Sequence, residues 1–95
     1  MHDCPIGTGD AWAAAHLDGY RTWAPDHRGL LVVTFDEDDN SPGNQILTMV
    51  SGAGVRPGRY PQRVDHYSLL RTIEDCYGLT AIGASASAAP LPGIC

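Results

Sequence analysis

The first stretch of the chain with a periodic apolar pattern predicts an α-helix. Its apolar and aromatic residues recur at helical spacing, at Trp12, Ala13, His16, Leu17 and Tyr20. Asp10 stands before them as the expected N-cap, because an aspartate side chain accepts hydrogen bonds from the free N–H groups of a first helical turn. Pro25 is expected to end the helix, because proline has no N–H to donate within it. His16 and His27 are assigned no partner.

Two short apolar runs follow and predict strands. Residues 30–35 are Leu-Leu-Val-Val-Thr-Phe, a β-branched and almost wholly apolar run that is typical of a central strand in a parallel α/β sheet. Residues 45–50 form the second run, and the charged residues 36–40 lie between the two. A central strand needs neighbours on both sides and this chain supplies few, so the pattern predicts an α/β chain that is part of a larger sheet.

A second helix is predicted after residue 64. Asp65 is its expected N-cap and Gly78 its expected C-terminal glycine. The apolar stripe between them consists of Leu69, Leu70, Ile73, Cys76 and Tyr77. From residue 83 onward the chain is rich in Ala, Ser, Pro and Gly, which predicts an irregular tail with little core. The expected organisation is therefore one domain over residues 1–82 and a tail over residues 83–95.

Charge limits the classes of partner. The chain carries 11 acids and 6 bases, a net charge of −5, and every base is arginine. This balance disfavours a nucleic-acid or anionic-membrane partner, because both need a basic face, and the scattered arginines predict no basic patch. No stretch is long and apolar enough for stable membrane insertion. Cys4, Cys76 and Cys95 lack C-x-x-C spacing, which disfavours a zinc site; they fit free thiols or a disulfide-bearing chain equally well.

The acidic residues that follow the first strand carry the strongest chemical signal. Asp36 and Glu37 stand at the carboxyl end of that strand, where sites lie in open α/β sheets. Adjacent carboxylates repel each other unless a cation or proton compensates, and oxygen ligands suit hard divalent cations. A solvated acidic turn is the alternative. An EF-hand is excluded, because counting from Asp36 or Asp38 puts leucine or methionine at the twelfth position where the loop needs glutamate.

Two further pairs combine a histidine with an acid. His2 and Asp3 could serve as general acid, phosphate contact or metal ligand, or could simply be exposed near a terminus. Asp65 and His66 have a structural interpretation, with Asp65 as a helix cap and His66 in the first turn. Ser68 lies inside the predicted helix, without the strand-to-helix elbow of a nucleophile.

Three segments together resemble one family. They are residues 1–5 (MHDCP) running into 9–12 (GDAW), residues 33–39 (VTFDEDD) and residues 65–75 (DHYSLLRTIED). They are similar to the C-terminal third of the phosphoesterase family that contains bacterial acid phosphatases, phosphatidylinositol-3-phosphatase-like enzymes and non-haemolytic phospholipases C, within the alkaline-phosphatase-like superfamily. The resemblance runs from about residue 2 to about residue 79.

The resemblance implies a fold, an activity and roles for individual residues. The fold would be the C-terminal part of an alkaline-phosphatase-like mixed sheet flanked by helices, and the activity metal-dependent hydrolysis of phosphate esters. Asp36 and Glu37 would bind a divalent metal ion. His2 would contact the phosphoryl group or protonate the leaving oxygen, and Asp3 would orient it. Asp10 would cap and position the helix that follows it. Asp65 and His66 would support the structure or the residues that contact the metal and substrate.

The family's remaining parts have no counterpart in the sequence. Its Ser or Thr nucleophile and its Glu-Asn metal-ligand pair are expected upstream of Met1, in an N-terminal segment of the same enzyme, and the chain alone is expected to be inactive. The expected substrate is a small phosphate ester or a phospholipid head group, and the full-length protein is expected to be secreted or periplasmic. The rival hypothesis is a non-catalytic acidic module that binds partners through a cation.

Overall fold

The computed structural model describes residues 4–41 and 43–95. Contacts along the chain divide it into two units, Met1–Ala53 and Gly54–Cys95. The elements follow the order helix, strand, strand, helix: α1 is Ile6–Trp23, β1 is Leu30–Thr34, β2 is Thr48–Gly52 and α2 is His66–Tyr77. Short 3-10 helices cover Ala24–His27 and Gly83–Ser87. The chain is thus mixed α/β, as predicted.

Helix α1 starts earlier than predicted. Its N-cap is Pro5, with no side-chain capping bond, and the Pro5 carbonyl accepts from the N–H of Thr8 at 2.9 Å. Asp10 therefore lies inside the helix, and its prediction as N-cap is wrong. The fixed φ of proline suits a helix start. The end is as predicted: α1 stops at Trp23, and Pro25 sits in the 3-10 turn that follows.

Strands β1 and β2 form an antiparallel pair, in which Leu30 lies opposite Gly52 and Thr34 opposite Thr48. The apolar run indicated a central strand with parallel neighbours, but in this two-stranded sheet β1 pairs with β2 alone. All five β1 residues are half-buried. Strand β2 lies further along the chain than residues 45–50, because its end depends on Gly52. A Cβ at Gly52 would collide with the Gly29 carbonyl oxygen, and its φ is 137°, so glycine lets the strand run past the apolar segment.

Helix α2 has both of the predicted caps. The Asp65 carboxylate accepts from the Ser68 N–H at 3.0 Å, and the Ser68 hydroxyl in turn accepts from the Asp65 N–H at 3.2 Å. This is a capping box with serine in the third helical position. Gly78 ends the helix with a φ of 64°, and its N–H donates to the carbonyls of Asp75 and Glu74.

The buried residues of α2 are polar, and they lie on two sides of the helix, because Glu74 is two residues from Thr72. Ser68, Thr72 and Glu74 are buried, whereas Ile73 is 42% and Tyr77 67% exposed. The polar groups tolerate burial because each has a hydrogen-bond partner, and no buried side-chain nitrogen or oxygen of the described residues lacks one.

The hydrogen-bond partners of Glu74 and Thr72 include residues of the tail. The Ser85 hydroxyl, fully buried, donates to the Glu74 carboxylate at 2.8 Å. The Leu91 N–H donates to the Thr72 hydroxyl at 2.7 Å. Residues 83–95 therefore pack against α2 more closely than their composition predicts, since a serine and a leucine of this segment are buried.

A disulfide closes the second unit. It joins Cys76, near the end of α2, to Cys95, with 5.5 Å between the Cα atoms, and Cys4 is a free thiol. Both cysteine interpretations that the sequence left open therefore apply in part, since two cysteines are paired and one is free. In the part of the chain that the structure describes, no helix is long and apolar enough to cross a membrane.

Candidate functional site

The hairpin in the first unit fixes where the acidic loop begins. The Thr34 and Thr48 hydroxyls are 2.7 Å apart across the last pair of the ladder. The Phe35 N–H donates to the Leu47 carbonyl at 3.3 Å, which continues the pairing by one residue. The chain then leaves the strand at Asp36. The acids therefore start at the end of a strand that its partner holds in place.

Asp36 and Glu37 are both exposed at this strand end. The Glu37 N–H donates to Asp36 Oδ1 at 3.0 Å, a bond that bends the chain between the two residues. The two acids are thus consecutive residues on a bend of the chain, within reach of solvent. This is the position that the sequence predicted for them.

The next two acids shape the loop. Asp38 Oδ1 accepts from the Asn40 N–H at 2.9 Å, and Asp39 Oδ1 accepts from the Ser41 N–H at 3.2 Å. Hydrogen bonds from the side chain and backbone of Ser41 lower the pKa of Asp39. Asn44 closes the loop from the far side, since its side-chain oxygen accepts from the Asp38 N–H at 3.1 Å. Asp38 and Asp39 therefore use carboxylate oxygens to form turns.

The acid pair is chemically suited to a hard cation, but only as part of a ligand set. Asp36 and Glu37 offer carboxylate oxygens on an exposed turn, which Mg²⁺, Ca²⁺ and Mn²⁺ accept. Within residues 4–41 and 43–95, no three His, Cys, Asp or Glu side chains converge to hold a metal ion. The two residues fit a metal as a pair of ligands that needs completion by others.

The remaining predicted site residues fall in different places. His2 and Asp3 lie outside the described residues. Asp10 is exposed within α1. Asp65 caps α2 and His66 is the first residue of that helix, so the structural role expected of Asp65 has a direct hydrogen-bond basis.

Two histidines without an assigned role pair with tryptophans in the structure. His16 stacks on Trp12 with ring centroids 4.4 Å apart, and His27 stacks on Trp23 at 4.0 Å. In both pairs the histidine Nδ1 lies within 2.9 Å of the tryptophan carbonyl oxygen. The signal was present in the sequence as two Trp-x-x-x-His spacings, because residues four apart are neighbours on a helix.

Comparison with known families decides the chain's relationship. Residues 1–80 match the model of the Phosphoesterase family. The chain belongs to this family. The match contains all three segments on which the resemblance was based, including the acid pair at the end of β1.

One curated relative extends this phosphoesterase assignment. The chain is 49% identical over 94 residues to a phosphatidylinositol-3-phosphatase from Mycobacterium tuberculosis (strain ATCC 25618 / H37Rv). The alignment covers 99% of this chain but 31% of the relative, so the chain spans about a third of that protein's length. No solved structure matches the chain.

Proposed function

We propose that this chain contributes to a metal-dependent enzyme that hydrolyses phosphate esters. The observation that carries the proposal is the family match over residues 1–80, reinforced by 49% identity to a phosphatase across nearly the whole chain. The exposed acid pair at the end of β1 supplies the chemistry that such an enzyme needs from this region.

Asp36 and Glu37 are proposed to bind a divalent metal ion. When bound, the metal would supply positive charge that neutralises the phosphoryl oxygens and favours the ionised form of a hydroxyl nucleophile. The hairpin holds the two carboxylates at a fixed strand end, and the Glu37 N–H fixes one oxygen of Asp36 at 3.0 Å. The role of this chain at the site is thus to position negative charge.

His2 and Asp3 are proposed to act on the substrate. His2 would protonate the leaving oxygen or hydrogen-bond to a phosphoryl oxygen, and Asp3 would orient its ring. The proposal for this pair comes from the family match, since both residues lie outside the described part of the chain.

The nucleophile is proposed to come from an N-terminal segment of the same enzyme. Several hydroxyls of this chain are committed to its own structure. Ser68 is part of the helix cap, Thr72 and Ser85 are buried in hydrogen bonds, and Thr34 pairs with Thr48. Because no three His, Cys, Asp or Glu side chains converge among the described residues, the chain by itself is expected to show no metal-dependent turnover with Mg²⁺, Mn²⁺, Ca²⁺ or Zn²⁺.

The substrate is proposed to be a small phosphate ester or the head group of a phospholipid, since the relative is named for action on a phosphoinositide. The compartment is proposed to be extracellular or periplasmic. The Cys76–Cys95 disulfide supports this, because disulfides persist in oxidising environments.

A segment-exchange chimera tests the proposed function. This chain replaces the matching segment of the mycobacterial relative, and phosphate release from p-nitrophenyl phosphate is measured with each metal. We expect metal-dependent turnover that falls, together with bound metal, in Asp36→Asn. Asp38→Asn is the matched control, because Asp38 serves the loop backbone, and it should retain most of both.

Two results would contradict the proposal. A folded chimera that binds metal without releasing phosphate would favour the non-catalytic cation-dependent module. Turnover and metal content that are unchanged in Asp36→Asn would remove Asp36 from the metal site.

A further inference from the structure

Half of the chain's positive charge lies in one short segment of the second unit. Residues 54–64 contain three of the six basic residues and none of the eleven acids. Arg56, Arg59 and Arg63 stand in a chain whose net charge is −5. Although the composition predicted no basic patch, this segment, called here the arginine turn, is basic throughout.

All three arginines are exposed and available. The ion pairs within residues 4–41 and 43–95 join Arg21 to Asp18 and Arg71 to Asp75, and the arginine turn takes part in none of them. Three neighbouring cations without internal anions repel each other, so an external anion would stabilise the turn.

The backbone of the turn is held in place before any ligand arrives. The Arg56 N–H donates to the Gly93 carbonyl at 3.1 Å, and the Tyr60 hydroxyl donates to the Arg56 carbonyl at 2.8 Å. The hydroxyl of Tyr60 occupies the space where any side chain at position 93 would begin, so glycine permits this contact. Pro57 follows Arg56 and restricts the chain further. The backbone at Arg56 would therefore lose little entropy on binding.

Exposed apolar groups accompany the arginines. Tyr60 is 40%, Val64 37% and Tyr67 53% exposed. Tyrosine is favoured where water meets lipid, because its ring is apolar and its hydroxyl polar. Arginine likewise lays an apolar stem along such a boundary while its charge stays in water. The composition of the turn therefore suits an anionic surface with an apolar layer beneath it.

We propose that the arginine turn is a docking surface for an anionic phospholipid bilayer. This inference rests on the proposed function in choosing lipid among possible polyanions, and it adds the surface that brings a phosphoesterase to a substrate held in a membrane. Arg56 and Arg59 are three residues apart, so chain reach keeps their Cα atoms within about 11 Å. Cations spread over an open turn match many head groups at once. The chain would attach to the surface of the bilayer without inserting into it.

The physical expectation is a binding strength that depends on charge. Each arginine near an anionic leaflet strengthens binding about fivefold, and three give about a hundredfold. Salt weakens the attraction, because the screening length is about 8 Å at physiological ionic strength.

Vesicle sedimentation of the 95-residue chain tests the proposal. The chain, with its disulfide intact, is mixed with vesicles of phosphatidylcholine alone or with added phosphatidylserine or phosphatidylinositol 3-phosphate. We expect binding to both anionic compositions, weakened by salt, and none to phosphatidylcholine. Arg59→Gln should bind about fivefold more weakly. Arg21→Gln is the matched control, with the same change in charge on the paired α1 arginine, and should bind like the parent.

A triple variant extends the test. It combines Arg56→Gln, Arg59→Gln and Arg63→Gln, and it should bind anionic vesicles about a hundredfold more weakly than the parent. If circular dichroism shows that this variant is unfolded, the corresponding triple lysine variant decides, because it keeps the charge. Retained binding by the folded lysine variant supports the proposal, and lost binding overturns it.

Other results would also overturn the docking surface. They are absence of vesicle binding by the parent chain, unchanged binding by the triple glutamine variant, full competition by a soluble inositol phosphate, and equally tight binding of a single-stranded oligonucleotide. None of these measurements reads turnover. A failed docking surface therefore leaves the hydrolase proposal intact, and an inactive chimera leaves vesicle binding intact.

Discussion

The two units of this chain differ in what they bury and in what holds them together. Residues 4–53 hold the acid pair but bury little: Ala24 and Gly29 are buried, whereas Trp12 is 56% and Trp23 48% exposed. Residues 54–95 bury four polar side chains, each with a partner, and are closed by a disulfide. The contrast shows that a small unit without a large apolar core can still be constrained, provided that its buried polar groups are paired and its chain is cross-linked.

The comparison implies that changes in the first unit should affect turnover and that changes in the second should affect stability. The largest expected effect is on turnover. His2→Ala in the chimera should lower kcat about 10²–10⁴-fold, the usual contribution of a general acid, while bound metal stays near the parent value. Steady-state kinetics and metal analysis measure both. Loss of the metal would instead make His2 a ligand.

Next in size is the disulfide. Cys76→Ser should destabilise the second unit by about 3 kcal/mol, because the unfolded chain is no longer restrained by the cross-link. Thermal unfolding under oxidising conditions measures this. The control is Cys4→Ser, which removes the free thiol and should leave the transition unchanged. A parent chain that melts identically with and without reductant would show that the cross-link contributes nothing.

The buried threonine should have a smaller effect. Thr72→Val keeps the shape of the side chain but leaves the Leu91 N–H, which donates to it at 2.7 Å, without an acceptor. The expected loss of stability is about 1–3 kcal/mol, measured by denaturant unfolding. Thr22→Val is the control, since its hydroxyl donates to a carbonyl on the exposed surface of α1. If Thr72→Val and Thr22→Val lost the same stability, the buried hydrogen bond from Leu91 to Thr72 would not contribute more than an exposed one.

The smallest effect is expected in the acidic loop. Hydrogen bonds from Ser41 lower the pKa of Asp39, so they favour the carboxylate in the folded state. Any stability gained is present above the ordinary aspartate pKa and is lost as the pH falls through the lowered value. Asp39→Asn should therefore differ slightly from the parent at neutral pH and not at all in acid. Melting temperatures of the two proteins across pH measure this. A difference that grew as the pH fell would mean that folding raises the pKa of Asp39 rather than lowering it.

Local signals explain what the sequence could predict. Both ends of α2 follow from Asp65 and Gly78, because caps act over a few residues. The acid pair was placed correctly because a β-branched run ends just before it. The start of α1 was missed, because Asp10 was taken as the cap although the helix begins directly after Pro5.

Long-range contacts account for the rest. The burial of Glu74 and Thr72 depends on Ser85 and Leu91, which no periodicity connects to the helix. Three cysteines allow three pairings, and only the folded chain selects Cys76 with Cys95. The catalytic roles of His2 and Asp3 stay predictions, because both lie outside the described residues.

The tail that completes α2 has a consequence for biosynthesis. A nascent chain can cap this helix once Gly78 has emerged, yet the partners of Glu74 and Thr72 are made later. Until Cys95 emerges, Cys4 is the other cysteine of these 95 residues with which the thiol of Cys76 can oxidise. Thiol oxidation takes seconds to hours, whereas closing a short loop takes about 10–100 ns. Oxidation that lags behind synthesis gives the native pair, and early oxidation would trap the wrong one.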